Sequence, residues 1–263
     1  MKLLFWNLGR NDNSSIARRA IENNDIDLAF FAEFKQTNLS EIVNALGDNY
    51  LLYDGYGGCD KICLIARNNF FVGIVREATR YTIYHIQLQD TDLLIGSTHL
   101  PDPRNSDKED RKKVIRDLVD DILTAERDCR CDRTLVIGDF NASPFDEELV
   151  QKDCFNAVLF KELIFNQEYV ESNESEYRRF YNPAIDYVSE EHKRYGSFYR
   201  SSGIKSLYWY SYDQVIMRKD LIGSFIRMDY LKKIADHDLI TKHAIAKSIS
   251  DHLPLYVELK GRV

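Results

Sequence analysis

The chain has 263 residues, is 44% hydrophobic and carries 42 acidic against 35 basic side chains, for a formal charge of -7. This suits one large globular domain, offers no apolar run of the ~18 residues that a membrane span needs, and argues mildly against an indiscriminate duplex-degrading enzyme, which would show a basic excess. Five cysteines without framework or zinc-site spacing read as reduced thiols in a cytoplasmic protein, and the short apolar start lacks the cleavage site of a signal peptide.

Lys2 to Asn7 reads as a β-strand, after which Ser14 or Ser15 caps a helix running to about Asn23. Asp27 to Glu33 is a short buried strand. Ser40 caps a helix over Glu41 to Leu46, with Gly47 as its stop. Lys61 to Arg67 and Phe70 to Val75 are expected to form a hairpin around Asn68-Asn69. Tyr81 to Gln89 alternates and takes Leu93 to His99 as its partner. Ser106-Asp107-Lys108-Glu109 is a capping box, and behind it Val114, Leu118 and Ile122, with Ile115, Val119 and Leu123, form the apolar stripe of the clearest helix. Thr134 to Asp139 is a strand, and Asp146 to about Ile164 is helical in part. Leu207 to Met217 and Leu253 to Leu259 complete the set. No linker or repeat interrupts this order, so residues 1–263 are expected to form a single domain.

Short polar islands stand at the ends of these apolar runs: Trp6-Asn7, Glu33, Thr98-His99-Leu100, Gly138-Asp139-Phe140-Asn141, Tyr212-Asp213 and Ser250-Asp251-His252. Stranding an unpaired charge at a buried strand end costs on the order of several kcal/mol. Its repetition suggests strand ends that converge on one cation-binding, phosphate-handling pocket. A phosphodiester repels hydroxide, so its hydrolysis needs charge neutralisation, an activated water and a stabilised leaving oxygen. Glu33, Asp139, Asp251, Asn7 and Asn141 offer hard oxygen donors, which point to Mg²⁺ or Mn²⁺ and not to zinc.

By strand alternation Asp139 and Asn141 face one site, the carboxylate taking a proton from water that the amide fixes; the alternative is an Asx turn. His252 pairs with Asp213 as an acid/base unit, which leaves Asp251 for the metal. His99 either donates to a phosphate oxygen or is structural. His85, His192, His237 and His243 carry no comparable signal. Between residues 177 and 212, aromatics mix with cations. There Lys193, Arg194, Tyr195, Arg200, Lys205, Trp209 and Tyr210 either meet a single-stranded nucleic acid or build a hairpin with a wet face.

These islands, in this order and over residues 6 to 254, resemble the motif series of the endonuclease/exonuclease/phosphatase superfamily, the deoxyribonuclease I-like phosphoesterases. The resemblance implies an α+β fold, a four-layer α/β/β/α sandwich of two mixed β-sheets flanked by helices. It also implies a magnesium-dependent phosphoesterase with its site at one end of the sandwich. Carried over, Glu33 is the main metal ligand, helped by Asn7 and Asp251. Asp139 and Asn141 handle the attacking water, His252 with Asp213 is the acid/base pair, and His99 binds the scissile phosphate or assists the leaving group. By the same analogy Asp60 orients His99. Ala32 stands where the family usually has Gln before the metal-binding Glu, which removes a supporting hydrogen bond. A nuclease acting on DNA or RNA is the expected function. The alternatives are an esterase for a small phosphate ester, inositol phosphate or lipid headgroup, and a binding module that has lost its chemistry.

Overall fold

The computed structural model describes residues 1–88, 91–172, 174–187, 196–202, 208–241 and 244–260. The first half contains β1 (Lys2–Asn7), α1 (Ser14–Asn24), β2 (Leu28–Ala32), α2 (Gln36–Leu46), β3 (Tyr50–Tyr53) and β4 (Ile62–Arg67). It continues through β5 (Phe71–Ala78), β6 (Tyr81–Leu88), β7 (Thr91–His99), α3 (Lys108–Cys129) and β8 (Thr134–Asp139). Shorter pieces follow: α4 (Glu147–Val150), β9 (Ala157–Val158), α5 (Lys161–Asn166), β10 (Tyr169–Ser172), β11 (Ser175–Arg178), β12 (Phe180–Tyr181) and α6 (Ala184–Tyr187). The chain ends with β13 (Phe198–Tyr199), β14 (Trp209–Tyr210), β15 (Asp213–Met217), α7 (Lys219–Ile222), β16 (Phe225–Tyr230), β17 (Lys233–Ile234), β18 (His237–Asp238) and β19 (Leu255–Leu259).

Two mixed sheets form the body, one ordered β16-β19-β1-β2-β4-β3 and the other β5-β6-β7-β8-β15-β12-β9. Alternation along the second sheet explains the layering. On β8, Leu135 and Ile137 join the core between the sheets, whereas Val136 packs with Ile115, Leu118 and Ile122 of α3. β15 repeats the pattern, with Val215 and Met217 inward and Ile216 toward α3. Both faces are covered, so these strands read as near-continuous apolar runs. Phe30 of β2 and Tyr84 of β6 meet across the gap with ring centroids 5.7 Å apart. On the other side α1 and α2 pack through Ala17, Ala20, Ile21, Leu39 and Ile42. The result is helix, sheet, sheet, helix, as expected. No helix among the described residues is long and apolar enough to cross a membrane.

Several boundaries differ from the sequence reading. The expected hairpin between β4 and β5 is absent: β4 already pairs with β2 and β3 on its two edges, so the Asn68-Asn69 turn carries the chain to the other sheet. α3 is capped by Asp107, whose carboxylate accepts the Asp110 N–H at 2.8 Å, while Ser106 donates to the Asp102 carbonyl. α1 starts at Ser14 with Asn13 at its N-cap and α2 starts at Gln36, so none of Ser14, Ser15 and Ser40 is a cap. The run from 207 to 217 breaks at Ser211-Tyr212 into β14 and β15. Gln89, His192, Lys193, Arg194, Tyr195, Lys205, Leu207 and His243 lie outside the described residues.

Candidate active site

Strand register builds the site. His99, Asp139 and Asp213 stand side by side at three adjacent strand ends, because His99 pairs with Asp139 across β7 and β8, and Asp213 with Asp139 across β15 and β8. Two carboxylates directly opposite each other repel. The His252 imidazole offsets that repulsion: its Nδ1 lies 2.7 Å from Asp213 Oδ2 and its Nε2 lies 3.8 Å from Asp139 Oδ2. Burial alone would depress the imidazole, but the charges of Asp213 and Asp139 and the Asp213 hydrogen bond outweigh it and push the pKa up to about 10. The pair therefore holds a proton far more firmly than a free imidazole would.

The other sheet contributes from the ends of β1 and β2. Asn7 Nδ2 donates to Glu33 Oε1 at 3.3 Å and to Asp139 Oδ2 at 3.1 Å, so one buried amide ties the two sheets together. Asn7 Oδ1 accepts from the Gly9 N–H at 3.0 Å. His99 Nε2 lies 3.5 Å from Glu33 Oε1 and 3.8 Å from Asp139 Oδ2. Trp6 Nε1 donates to the His252 carbonyl at 3.0 Å, and the Ser250 hydroxyl donates to the Asn7 carbonyl at 2.7 Å while accepting the His252 N–H at 3.0 Å. The loop that carries Asp251 and His252 is thereby fastened to the end of β1.

Two candidate residues occupy left-handed backbone, Glu33 at φ 48° and Asn141 at φ 47°. Such conformations cost about 1–3 kcal/mol for a non-glycine residue and recur where function dictates orientation. Asp139 and Asn141 form an Asx turn, the Asn141 N–H donating to Asp139 Oδ1 at 2.9 Å, yet both stand at the same site and line the same cavity. Asn141 Nδ2 is committed to the Leu100 carbonyl at 2.9 Å.

A cavity of about 550 Å³ opens over this floor, and Glu33, His99, Asp139, Asn141, Asp251 and His252 all line it. Glu33 and Asp251 thus face the same space. Their donor atoms are all oxygen and the surrounding carboxylates are only partly neutralised, a set that fits a hard divalent cation. Asn7 reaches the site through its amide nitrogen, so serving as a ligand requires it to turn its oxygen inward. Among the described residues, Asp139, Asp213 and His252 also bring one possible ligand atom each within 4.8 Å of one another. The 2.7 Å contact occupies His252 Nδ1, so this cluster is better described as a hydrogen-bonded acid/base row than as an ion cage.

Some expected contributors stand elsewhere. Asp60 is exposed and bonds Lys61 at 2.9 Å, and His99 Nδ1 is buried with no hydrogen-bond partner among the described residues, so Asp60 does not orient His99. The reason is local: Asp60 precedes β4 on a surface turn, where a neighbouring lysine captures it. Trp209 and Tyr210 do not line the cavity. Trp209 packs on Tyr199 at 5.0 Å and Tyr210 on Tyr212 at 5.0 Å, backing the wall instead of facing substrate. Arg200 does line it. Sequence reasoning missed Arg80 and Arg104, lining residues supplied by turns, whereas Phe198 of β13 and Tyr212, both in the aromatic stretch, line the cavity as well. Phe198 sits against the His252 ring with centroids 4.9 Å apart. His85 bonds Asp92 near the start of β7, away from the site, and His237 lies in an exposed hairpin.

A family model, "Endonuclease/Exonuclease/phosphatase family", matches residues 4–252. The chain belongs to this family. It is accordingly a phosphoesterase of a generally divalent-metal-dependent group. None of the curated proteins matches it in sequence. Among solved structures, truncated Caenorhabditis elegans TDP2 superposes with a TM-score of 0.61 at 13% identity, covering 99% of this chain and 97% of that one. D. rerio TDP2 complexed with single strand DNA product gives 0.59 at 14%, covering 99% of both chains. The endonuclease domain of TRAS1, a telomere-specific non-LTR retrotransposon, gives 0.58 at 12%, covering 100% of this chain and 99% of that one. Likenesses at this identity establish the shared sandwich fold.

Proposed function

We propose that this family member is a Mg²⁺-dependent phosphodiesterase that hydrolyses nucleic-acid strands by attack of water on phosphorus. The observation that carries the reading is the row Asp213, His252 and Asp139, closed by the 2.7 Å hydrogen bond and set beside Glu33 and Asp251 in one cavity. When bound, Mg²⁺ or Mn²⁺ neutralises the phosphate and stabilises the departing oxygen. Glu33 and Asp251 hold it, joined by Asn7 once its amide turns. Asp139 takes the proton of the attacking water; the Asn141 N–H fixes one of its oxygens and leaves the other toward His252 and His99. His252, kept cationic by its flanking carboxylates, offers its Nε2 proton to the charge that builds on the phosphoryl oxygens. His99 faces the same point with Nε2 and assists the leaving group.

A nucleic-acid substrate is supported by the arginines that rim an otherwise acidic site in a chain of net charge -7. It is supported too by the single strand DNA product and the endonuclease activity named for two structural relatives. The test is cleavage of end-labelled oligonucleotides with Mg²⁺ or Mn²⁺, with EDTA as control. Cleavage should disappear in Asp139→Ala and His252→Ala. Release of phosphate from small monoesters, with oligonucleotides left intact, would overturn the reading in favour of a small-molecule phosphatase.

A further inference from the structure

Backbone hydrogen bonds lay four segments side by side across the mouth of the cavity. The His99 N–H donates to the Arg80 carbonyl at 3.0 Å, the Leu100 N–H to the Asp139 carbonyl at 2.9 Å, and the Phe140 N–H to the Tyr212 carbonyl at 2.8 Å. Arg80, His99, Asp139 and Tyr212 therefore follow one another in fixed order, and three strand spacings separate the first from the last, about 14 Å. The reacting groups occupy the middle of this row, and cations occupy its two flanks.

On the first flank, Arg80 sits in the tight turn between β5 and β6. Its carbonyl accepts from both His99 N and Thr98 Oγ1, which anchors the turn to the strand that carries His99. Arg80 lines the cavity, and its guanidinium makes no hydrogen bond or ion pair among the described residues. An arginine placed by its backbone with its donors unspent is arranged to meet an anion. On the second flank, Arg200 follows β13, whose Phe198 ring stacks on Tyr212 with centroids 5.4 Å apart, and both Arg200 and Arg104 line the cavity. The Asp102 carboxylate accepts Arg104 Nε at 2.8 Å and 3.0 Å, which holds that guanidinium at the rim. The Asp251 carboxylate acts on Arg104 and the Arg200 charge acts on Asp102, the residue that holds Arg104, which puts both cations on this side.

With the scissile phosphate over His99 and Asp139, the two flanks lie on its two sides, where a continuing strand carries its neighbouring phosphates. We infer that Arg80 on one side and Arg200 with Arg104 on the other bind the phosphates that precede and follow the scissile one, so that this chain cuts internal linkages of a nucleic-acid strand and not terminal phosphate monoesters. The inference rests on the phosphodiesterase reading above and adds to it the flanking contacts and the endonucleolytic direction.

The experiment compares a short oligothymidylate blocked at both ends with bis(p-nitrophenyl) phosphate, which offers one phosphate. kcat/KM is measured with Mg²⁺ over a KCl series for the wild type, Arg80→Ala, Arg200→Ala and Arg80→Lys. The wild type should cut the blocked oligomer internally. In each alanine variant the ratio of kcat/KM for the oligomer to that for the simple diester should fall about tenfold, as for one lost charge-assisted contact. The slope of log kcat/KM against log salt should shrink by about 0.7 per cation removed, and Arg80→Lys should restore it. A wild type that hydrolyses the simple diester but leaves the blocked oligomer intact overturns the inference alone. So do alanine variants with unchanged ratio and slope. A wild type inert toward both diesters but active on monoesters overturns the phosphodiesterase reading, and this inference with it.

Discussion

Gly138→Ala tests how tightly the site depends on strand spacing. Gly138 pairs with Thr98 across β7 and β8, one residue before the His99 and Asp139 pair. A Cβ built on Gly138 would stand 2.0 Å from the Thr98 carbonyl oxygen and 2.9 Å from both its carbonyl carbon and its Cγ2. A methyl group needs well over 3 Å from such an atom, and a backbone carbonyl cannot rotate aside, so the two strands must part by roughly 1 Å or more. Overpacking of this kind costs about 1–3 kcal/mol, and for a chain of this size each kcal/mol lowers Tm by about 2–4 °C. The larger effect is on chemistry: His99 and Asp139 sit on the strands being parted, and a misplacement near 1 Å can lower turnover about 100-fold. Gly96→Ala is the matched control. It pairs with Val136 on the same two strands, yet its added Cβ would meet Val136 side-chain atoms no closer than 3.5 Å, ordinary contact. Thermal melts and oligonucleotide cleavage with Mg²⁺ should therefore show Gly138→Ala impaired in both and Gly96→Ala close to wild type. Equal behaviour of the two variants would refute the argument that close strand approach sets the Asp139 position.

Three further outcomes follow from the geometry. Asp213→Asn removes the charge that holds the imidazolium and should lower kcat about 10²- to 10⁴-fold in single-turnover cleavage; because the pair is buried, the unfolding midpoint should fall as well. Glu33→Gln should raise the Mg²⁺ concentration for half-maximal cleavage at least about tenfold, a dependence read from a metal titration, and EDTA should abolish wild-type turnover. Glu126→Ala acts far from the site: buried Glu126 accepts Arg218 Nε at 2.9 Å, Arg178 at 3.3 Å and the Thr134 hydroxyl at 2.6 Å. Leaving fully buried Arg218 without its counter-charge should cost about 3–5 kcal/mol in urea unfolding, while the remaining folded protein keeps its kcat.

Where pairing partners and periodicity agree, the chain is legible. β8 has the limits that its β-branched run predicts, and β6 and β7 pair as their alternation demands. The expected hairpin at Asn68-Asn69 failed because a turn-forming dipeptide says nothing about whether the strand before it has a free edge. The same contrast divides the site. Glu33, His99, Asp139 and Asp213 were visible because each is a polar residue at the end of an apolar strand, an arrangement with an energetic cost that stands out in one dimension. Arg80 and Arg104 lie in turns whose composition is ordinary, and only folding shows that they share a cavity. Asp60 was misassigned for the converse reason: the analogy supplied a role, but Lys61 beside it supplied a nearer partner.

The division of labour between the sheets bears on why the site should hold its geometry. Asn7, Glu33, Asp251 and His252 belong to the six-stranded sheet or to the loop entering β19, whereas His99, Asp139 and Asp213 end strands of the seven-stranded sheet. Candidate metal ligands thus come from one layer and the water-handling carboxylate from the other. Any sliding between layers would change the distance from ion to nucleophile. Two links oppose that sliding directly, Asn7 Nδ2 reaching Asp139 and His252 Nδ1 reaching Asp213, while Trp6 Nε1 fixes the His252 carbonyl to β1 within its own layer. All three are buried, where an unmade hydrogen bond costs about 1–3 kcal/mol, more for the charged groups. A relative displacement large enough to misalign the reaction would break both direct links at once, so the polar groups that make the chemistry also lock the register of the two sheets.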